Sequence, residues 1–354
     1  MELELLKKLT EVDGISGHER QVRNLVEEEL VKYIDKKDIS YDNLGSLIAK
    51  KGNDGPKIML AGHMDEIGMI VTSITDDGYI KFQTIGGWWS QVMLAQEVTI
   101  TTSKGERIIG VIGSKPPHIL TAEERKNAFK IEDMFVDIGV KNKDEALKLG
   151  IGIGDMIAPS FDFKVLANED SLLGKAWDNR IGVAIMMDVL KKLQNVDHPN
   201  IVYGVATVQE EVGLRGARTA SNIVNPDISI ALDVGIAKDT PGTDGSTKMG
   251  DGPTLLVYDG GLIGHVGLRE VFVEVANEHN IPFQYDYLSR GGTDAGAMHL
   301  AHAGSPAISL CIPSRYIHSH ASMISKSDFE NCVKLVVEVI KKLDKKTVEN
   351  ITYN

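Results

Sequence analysis

Cysteine and aromatic side chains are scarce in this chain. Its two cysteines, Cys311 and Cys332, form no CxxC pair. A disulfide scaffold and a thiolate-ligated zinc centre are therefore excluded, and reduced thiols of a cytosolic protein are the expectation. Three tryptophans in 354 residues offer few platforms for stacking sugars or bases. Basic residues are outnumbered, 38 against 50 acidic, for a formal charge of -12. No basic stripe interleaved with aromatics occurs, which argues against nucleic acid or an anionic membrane as partner. No apolar run approaches membrane-spanning length. The opening residues Met1 to Leu9 carry early acids and amphipathic spacing, a helix pattern rather than a signal peptide, so the expected compartment is the cytoplasm.

What remains has the composition of an ordinary globular protein, 42% hydrophobic and 25% charged, long enough for a large core and two domains. Gly14 to Glu19 breaks the first helix; Ser16 and Glu19 have capping-box spacing ahead of a helix bearing Val22, Leu25, Val26 and Leu30 on one face. His18 reads there as a first-turn surface residue. Lys57 to Gly62 reads as a buried strand ending in His63-Met64-Asp65-Glu66. Between Ile67 and Phe163 short alternating runs are separated by turn pairs such as Asp77-Gly78 and Lys104-Gly105, the texture of a small β-barrel. Gly86-Gly87-Trp88-Trp89 is a turn with exposed or interfacial aromatics, and residues 115–133 form a polar loop. The Gly150 to Gly154 run lacks the spacing and following helix of a nucleotide fingerprint.

The α/β texture resumes at Gly174. Asp178 precedes a helix over 181–193, and the strand 201–208 leads directly into Glu210 and Glu211. Neighbours on an extended backbone point to opposite sides, so one of these acids can face a cation and the other a water. Asp233 closes the apolar run that begins at Asp227, where a carboxylate is costly unless paired or metal-bound. Ser289 to Ala297 is rich in small residues, suited to close packing on a substrate backbone or to a tight turn. A strand over 306–312 leads to His318, and a helix over 327–343 covers the sheet. The candidate site is therefore His63, Asp178, Glu210, Glu211, Asp233 and His318, all at strand edges or just before a helix. The bland alternatives are a helix cap for Asp178, a solvated strand end for the two glutamates and a structural role for His63. A donor set of nitrogen and oxygen suits zinc, or cobalt or manganese. Five ligands suit two ions, ~3.5–4 Å apart, sharing a bridging carboxylate, with the remaining glutamate free as general base. An Asp two residues after His63 suits a partner for its second ring nitrogen. No Gly-x-Ser-x-Gly elbow or P-loop competes.

Ala61 to Gly68, Lys175 to Arg180, Val208 to Gly216, Ala231 to Gly235, Gly291 to Gly296 and Arg315 to His320 together closely resemble the M42 family of metallo-aminopeptidases. The resemblance spans nearly the whole chain. It implies a zinc-exopeptidase-like α/β/α sandwich made of residues 1–67 and 164–354, with a β-barrel dimerisation domain inserted at 68–163. It implies two divalent ions, zinc with cobalt or manganese as substitutes, bridged by Asp178. His63 and Asp233 complete one site, and Glu211 and His318 the other. Glu210 is implied as the general base and Asp65 as the residue that orients His63. Peptide substrates trimmed of acidic or aliphatic N-terminal residues, and a homo-oligomer of twelve subunits built from dimers, follow from the same kinship. Arg290 beside the glycine-rich turn is a candidate for favouring acidic residues. An endoglucanase-type glycosidase, a related metallo-deacylase and a non-enzymatic assembly or storage protein are the alternatives.

Overall fold

Apolar runs unbroken by polar positions are found in strands covered on both faces, and the central strands here have that character. The computed structural model describes residues 2–353. Strands β1 (Ile39–Tyr41), β2 (Leu47–Lys51) and β3 (Lys57–His63) come first. Six barrel strands follow: β4 (Gly68–Ile74), β5 (Ile80–Ile85), β6 (Glu97–Thr101), β7 (Arg107–Gly113), β8 (Phe135–Asp137) and β9 (Met156–Pro159). The chain then adds β10 (Lys164–Val165), β11 (Ser171–Gly174), β12 (Ile201–Thr207), β13 (Ile228–Ile236), β14 (Thr254–Tyr258), β15 (Gln284–Tyr287), β16 (Ala307–Ser314) and β17 (Ser322–Ser325). The helices are α1 (Leu3–Glu11), α2 (Arg20–Leu30), α3 (Lys143–Lys148), α4 (Trp177–Lys192), α5 (Arg215–Val224), α6 (Val266–Glu278), α7 (Ala295–Met298), α8 (Lys326–Lys342) and α9 (Lys345–Tyr353).

Eight strands form one mixed sheet in the order β1-β2-β12-β3-β13-β16-β14-β15. Its middle, β12, β3, β13 and β16, is parallel, and β2 and β14 join antiparallel on either side. Ile58 and Leu60 of β3 enter the large core shared with α4 and α8, while Met59 and Ala61 pack with Ala217 of α5 and Met298 of α7. This alternation with helices on both faces is the three-layer α/β arrangement expected of the chain. A second, closed sheet runs β4-β5-β8-β7-β6-β9, and every pairing in it is antiparallel. Met69 and Val71, Val98 and Ile100, and Ile157 point into its core at the period of two that its hairpins displayed.

One close approach positions the site. A Cβ placed on Gly62 would lie 2.5 Å from the carbonyl carbon of Gly182 and 2.6 Å from the amide of Val183. Only glycine lets α4 settle this low on β3, and that brings the start of α4, with Asp178, alongside His63 at the strand's end. Helix α4 is regular only beyond Asp178 and Asn179, whose backbone dihedrals are non-helical and whose connecting peptide is cis.

Several expectations change. Ser16 and Glu19 do not form a capping box, because α2 starts without a side-chain cap and both side chains point elsewhere. Asp233 lies inside β13 rather than at its end, because β13 continues beside β16 to Ile236↔Ser314. Glu210 and Glu211 are not strand neighbours; β12 stops at Thr207, and Gln209 turns the chain with a φ of 56°. Their divergence is a property of this turn. The polar segment 115–133 contains three short 3-10 turns rather than a featureless loop. Among the described residues no helix is long and apolar enough to cross a membrane.

Candidate active site

The carboxyl ends of parallel strands, where an α/β sheet binds its ligands, supply most of the site. In the β12–β3 register Thr207 stands opposite His63, and β3 and β13 are paired as far as Ala61↔Ala231. His63 at the end of β3 and Asp233 within β13 therefore stand side by side, each two residues past that last pair. Asp178 arrives from the head of α4, and His318 from the segment that follows β16. Asp178 turns one oxygen to each histidine: Oδ1 lies 3.2 Å from His63 Nε2 and Oδ2 lies 3.3 Å from His318 Nε2. Glu210 Oε2 is 3.8 Å from His63 Nε2, and Glu211 Oε1 is 3.7 Å from His318 Nε2. The six predicted residues thus converge on one cavity of about 650 Å³. One ligand atom each from His63, Asp178 and Glu211 can be drawn within 4.8 Å of one another, and the same holds for His63, Glu210 and Asp233. Glu210 therefore stands closer to the ligand groups than the division into five ligands and one spare acid suggested.

Asp65 lies against His63 and carries further contacts. Its backbone carbonyl, 2.9 Å from His63 Nδ1, orients the ring, while the nearer carboxylate oxygen is 3.5 Å away. The carboxylate instead accepts the amides of Glu210, at 3.0 Å, and Glu211, at 3.1 Å, and the hydroxyl of Ser16, at 2.6 Å. Burial resists its ionisation, but the His63 and Ser16 bonds outweigh this and hold its carboxyl below the ordinary value.

Charge is unbalanced in the cavity. Burial pushes Glu211 up to about 8, and the neighbouring Asp178 charge adds to it. Glu210 and Asp233 are also pushed up, by burial first. His318 rises to about 10 through its bond to Asp178. Carboxylates that resist ionisation beside imidazoles that retain protons describe a site short of positive charge. Glu211 Oε1 is moreover buried with no hydrogen-bond partner. These residues fit divalent cations, whose charge would meet both deficits.

Sequence reasoning missed the support around this set. Lys175 is buried with Asp13, 3.0 Å from its Nζ, and Glu66, at 2.6 Å; Glu66 also lies 3.3 Å from buried Arg180. Arg180 donates to the carbonyls of Met64, Leu9 and Val12. These contacts join the N-terminal segment, the exit of β3 and the head of α4, on either side of Asp178. The Gly87 carbonyl, 2.7 Å from His318 Nδ1, reaches in from the barrel. Asp294 accepts the Thr207 hydroxyl at 2.5 Å and is raised to about 6 by burial. The lone signal for the ion network was Lys175 and Glu66 lying inside motifs already singled out, and nothing in their spacing paired them.

A metal-dependent hydrolase of amide bonds is the class that this fold and this donor set define. The family model for M42 glutamyl aminopeptidases matches residues 45–335, so the chain belongs to the M42 family. It is 36% identical over 350 residues to the glutamyl aminopeptidase of Lactococcus lactis, covering 98% of each chain. The TET aminopeptidase of a marine-sediment thaumarchaeon superposes with a TM-score of 0.96 at 47% identity, over 99% of this chain and 98% of that one. The Pyrococcus horikoshii TET1 peptidase, described as assembling into a tetrahedron or a large octahedral shell, superposes at 0.87 with 33% identity, over 96% of this chain and 99% of that one. The chain is an aminopeptidase of a metallopeptidase family.

The ion network yields a test. Lys175→Met leaves Asp13 and Glu66 buried with one cation fewer, and stability is expected to fall by about 3 kcal/mol. Denaturant unfolding checks this, and a midpoint equal to the parent's would show that Arg107, 2.8 Å from Asp13, and Arg180 balance the two carboxylates unaided.

Proposed function

We propose that the protein removes N-terminal residues from short peptides with two divalent ions, zinc or in its place cobalt or manganese. His63 and Asp233 would hold one ion, Glu211 and His318 the other, and Asp178 would be shared between them. The observation that carries this reading is the carboxylate of Asp178, with one oxygen presented to each histidine. When bound, such a pair supplies Lewis acidity to the scissile carbonyl and lowers the pKa of an attacking water. Glu210, beside His63 and raised by burial, takes the proton from that water and delivers it to the leaving amine. Asp65 sets the direction of Glu210 through the peptide amides. The walls beyond these groups include Leu214, Ile236, Leu288 and Ile317, with Arg290 as the cationic side chain, which suits aliphatic and acidic first residues.

Glu210→Gln is expected to retain both ions by elemental analysis while kcat falls about 10²–10⁴-fold; near-parental turnover would remove Glu210 from the base role. Demetallation should abolish cleavage, and zinc, cobalt or manganese should restore it. A carboxylate pair that hydrolyses glycosides needs no metal, so chelator-resistant turnover of a glycan would favour the glycosidase alternative.

Arg290→Ala should lower kcat/KM for glutamyl and aspartyl p-nitroanilides about tenfold, the scale of one charge-assisted contact, and leave leucyl substrates unchanged. Equal losses on both classes would remove Arg290 from selection.

We also infer a homo-oligomer of twelve subunits built from dimers, with the barrel as the dimer contact. The exposed Ile109 and Val111 on β7 and the assembly of the TET1 relative support it. Sedimentation velocity of the purified protein is expected to give a species far larger than one 38.6 kDa chain, and a monomer would sink the inference.

A further inference from the structure

The turn that carries Glu210 and Glu211 is held through its backbone by residues outside the donor set. Three consecutive amides are captured by two carboxylates. Gln209 N donates to Glu19 Oε1 at 3.0 Å, and Glu210 N and Glu211 N donate to Asp65 at 3.0 and 3.1 Å. Ser16 in turn donates its hydroxyl to Asp65 Oδ2 at 2.6 Å, the oxygen that receives the Glu211 amide. Glu19 Oε1 also takes the amide of Gly17 at 2.8 Å, which ties its carboxylate to the Ser16 loop. Both peptide planes flanking the Glu210 Cα are therefore fixed from one side by the Ser16–Glu19 loop and Asp65. The side chains leave that turn in different directions, Glu210 toward His63 and Glu211 toward His318.

We propose that Ser16 and Glu19 are positioning residues for the general base: they act through Asp65 and the Gln209 amide to hold Glu210 in its proton-transfer direction. The inference rests on the assignment of Glu210 as that base. Two observations separate this role from simple support of the fold. The loop is already anchored to the exit of β3 without them, since Gly14 N donates to Glu66 Oε1 at 3.1 Å and Glu66 N to the Gly14 carbonyl at 3.0 Å. The turn's own bonds run from the carbonyls of Val208, Gln209 and Glu210 to amides of residues 213–216 and leave its amides to Asp65 and Glu19, while Gln209 keeps a left-handed φ of 56°, sparsely populated by a side-chain-bearing residue unless its surroundings impose it. Glu19 is 5% exposed, so solvent does not compete for its bond to the turn.

The experiment uses the metal-loaded full chain and leucyl and glutamyl p-nitroanilides. Glu19→Ala should lower kcat about 10–100-fold, the usual loss when a partner behind an active group is removed, with KM and bound metal as in the parent. Glu19→Gln keeps an acceptor oxygen for both amides and should recover most of the loss. The deciding arm is the double variant. If Glu19 acts through Glu210, Glu19→Ala added to Glu210→Gln slows turnover no further, because the group being aimed is already gone. Parental kcat in Glu19→Ala, or the same fold-loss in both backgrounds, would overturn the inference and leave the base assignment standing. Parental kcat in Glu210→Gln alone would remove the base assignment and the inference with it. Should Glu19→Ala fail to fold, Ser16→Ala, at a half-buried position, carries the same comparison.

Discussion

Like charges in a buried space must be held together by something else, and that constraint governs this molecule. Asp65, Asp178, Glu210, Glu211 and Asp233 meet at one end of a sheet, where their mutual repulsion and their lost hydration both oppose folding. The structure meets part of this cost with fixed donors. Asp65 is satisfied by two amides and a hydroxyl, Asp178 by two imidazoles, and Asp233 by the amide of Val234 at 2.7 Å. What remains unbalanced, the raised Glu210 and Glu211 and the partnerless Glu211 oxygen, is the part that cations would complete. A second charged cluster behind the first, Lys175, Arg180, Glu66 and Asp13, is balanced internally and makes the platform on which the first is mounted. The two clusters differ for that reason: the balanced one resists change, and the unbalanced one is suited to binding cations.

The parallel centre of the sheet is what permits this concentration of acid. Strands running the same way deliver their carboxyl ends to one edge, so His63 at the end of β3, Asp233 toward the end of β13 and Glu210 in the turn after β12, far apart in sequence, come together. The Gly62–Gly182 approach then lets α4 bring Asp178 against them. Removal of a methyl group at two positions is thus a condition for the bridging geometry, and it is felt only in packing.

Most of this was legible from the residues. Buried strands announced themselves as apolar runs, the barrel as alternating runs between turn pairs, and the donor set as acids and histidines in positions where burial is costly. What was illegible shares one physical character: it is carried by backbone groups or by partners that no local pattern ties together. The Ser16–Glu19 spacing matched a helix cap because that pattern is local, whereas the actual partners of both side chains lie across the fold at Asp65 and Gln209. Glu210 and Glu211 diverge as expected, but through a left-handed turn that an apolar run followed by two acids does not reveal. The pairing of Lys175 with Glu66 depends on where α4 sits, which depends in turn on two glycines. Strand β14 and the edge strand β15 were invisible for a plainer reason, being short and lacking strong periodicity.

The barrel is more than an appendage inserted beside the site. The chain leaves the sheet for it immediately after Asp65 and Glu66, and its Gly86-Gly87-Trp88 turn folds back over the ligand set. A carbonyl can only accept, so the Gly87 oxygen requires a proton on His318 Nδ1 and turns Nε2 toward Asp178. His63 is fixed by the same device, with the Asp65 carbonyl in the place of Gly87. Both glycines of the turn are needed at contact distance: a Cβ on Gly87 would lie 3.0 Å from His318 Nδ1, and one on Gly86 3.1 Å from Glu211 Oε2. Trp88 then locks the turn, donating from Nε1 to the Gly68 carbonyl at 3.0 Å and packing at a tilt of 59° against the ring of His320, centroids 5.4 Å apart. One histidine is thus oriented by the sheet and the other by the barrel, so the geometry of the site depends on how the two parts of the chain are docked, and any contact that bears on the barrel bears on His318 as well.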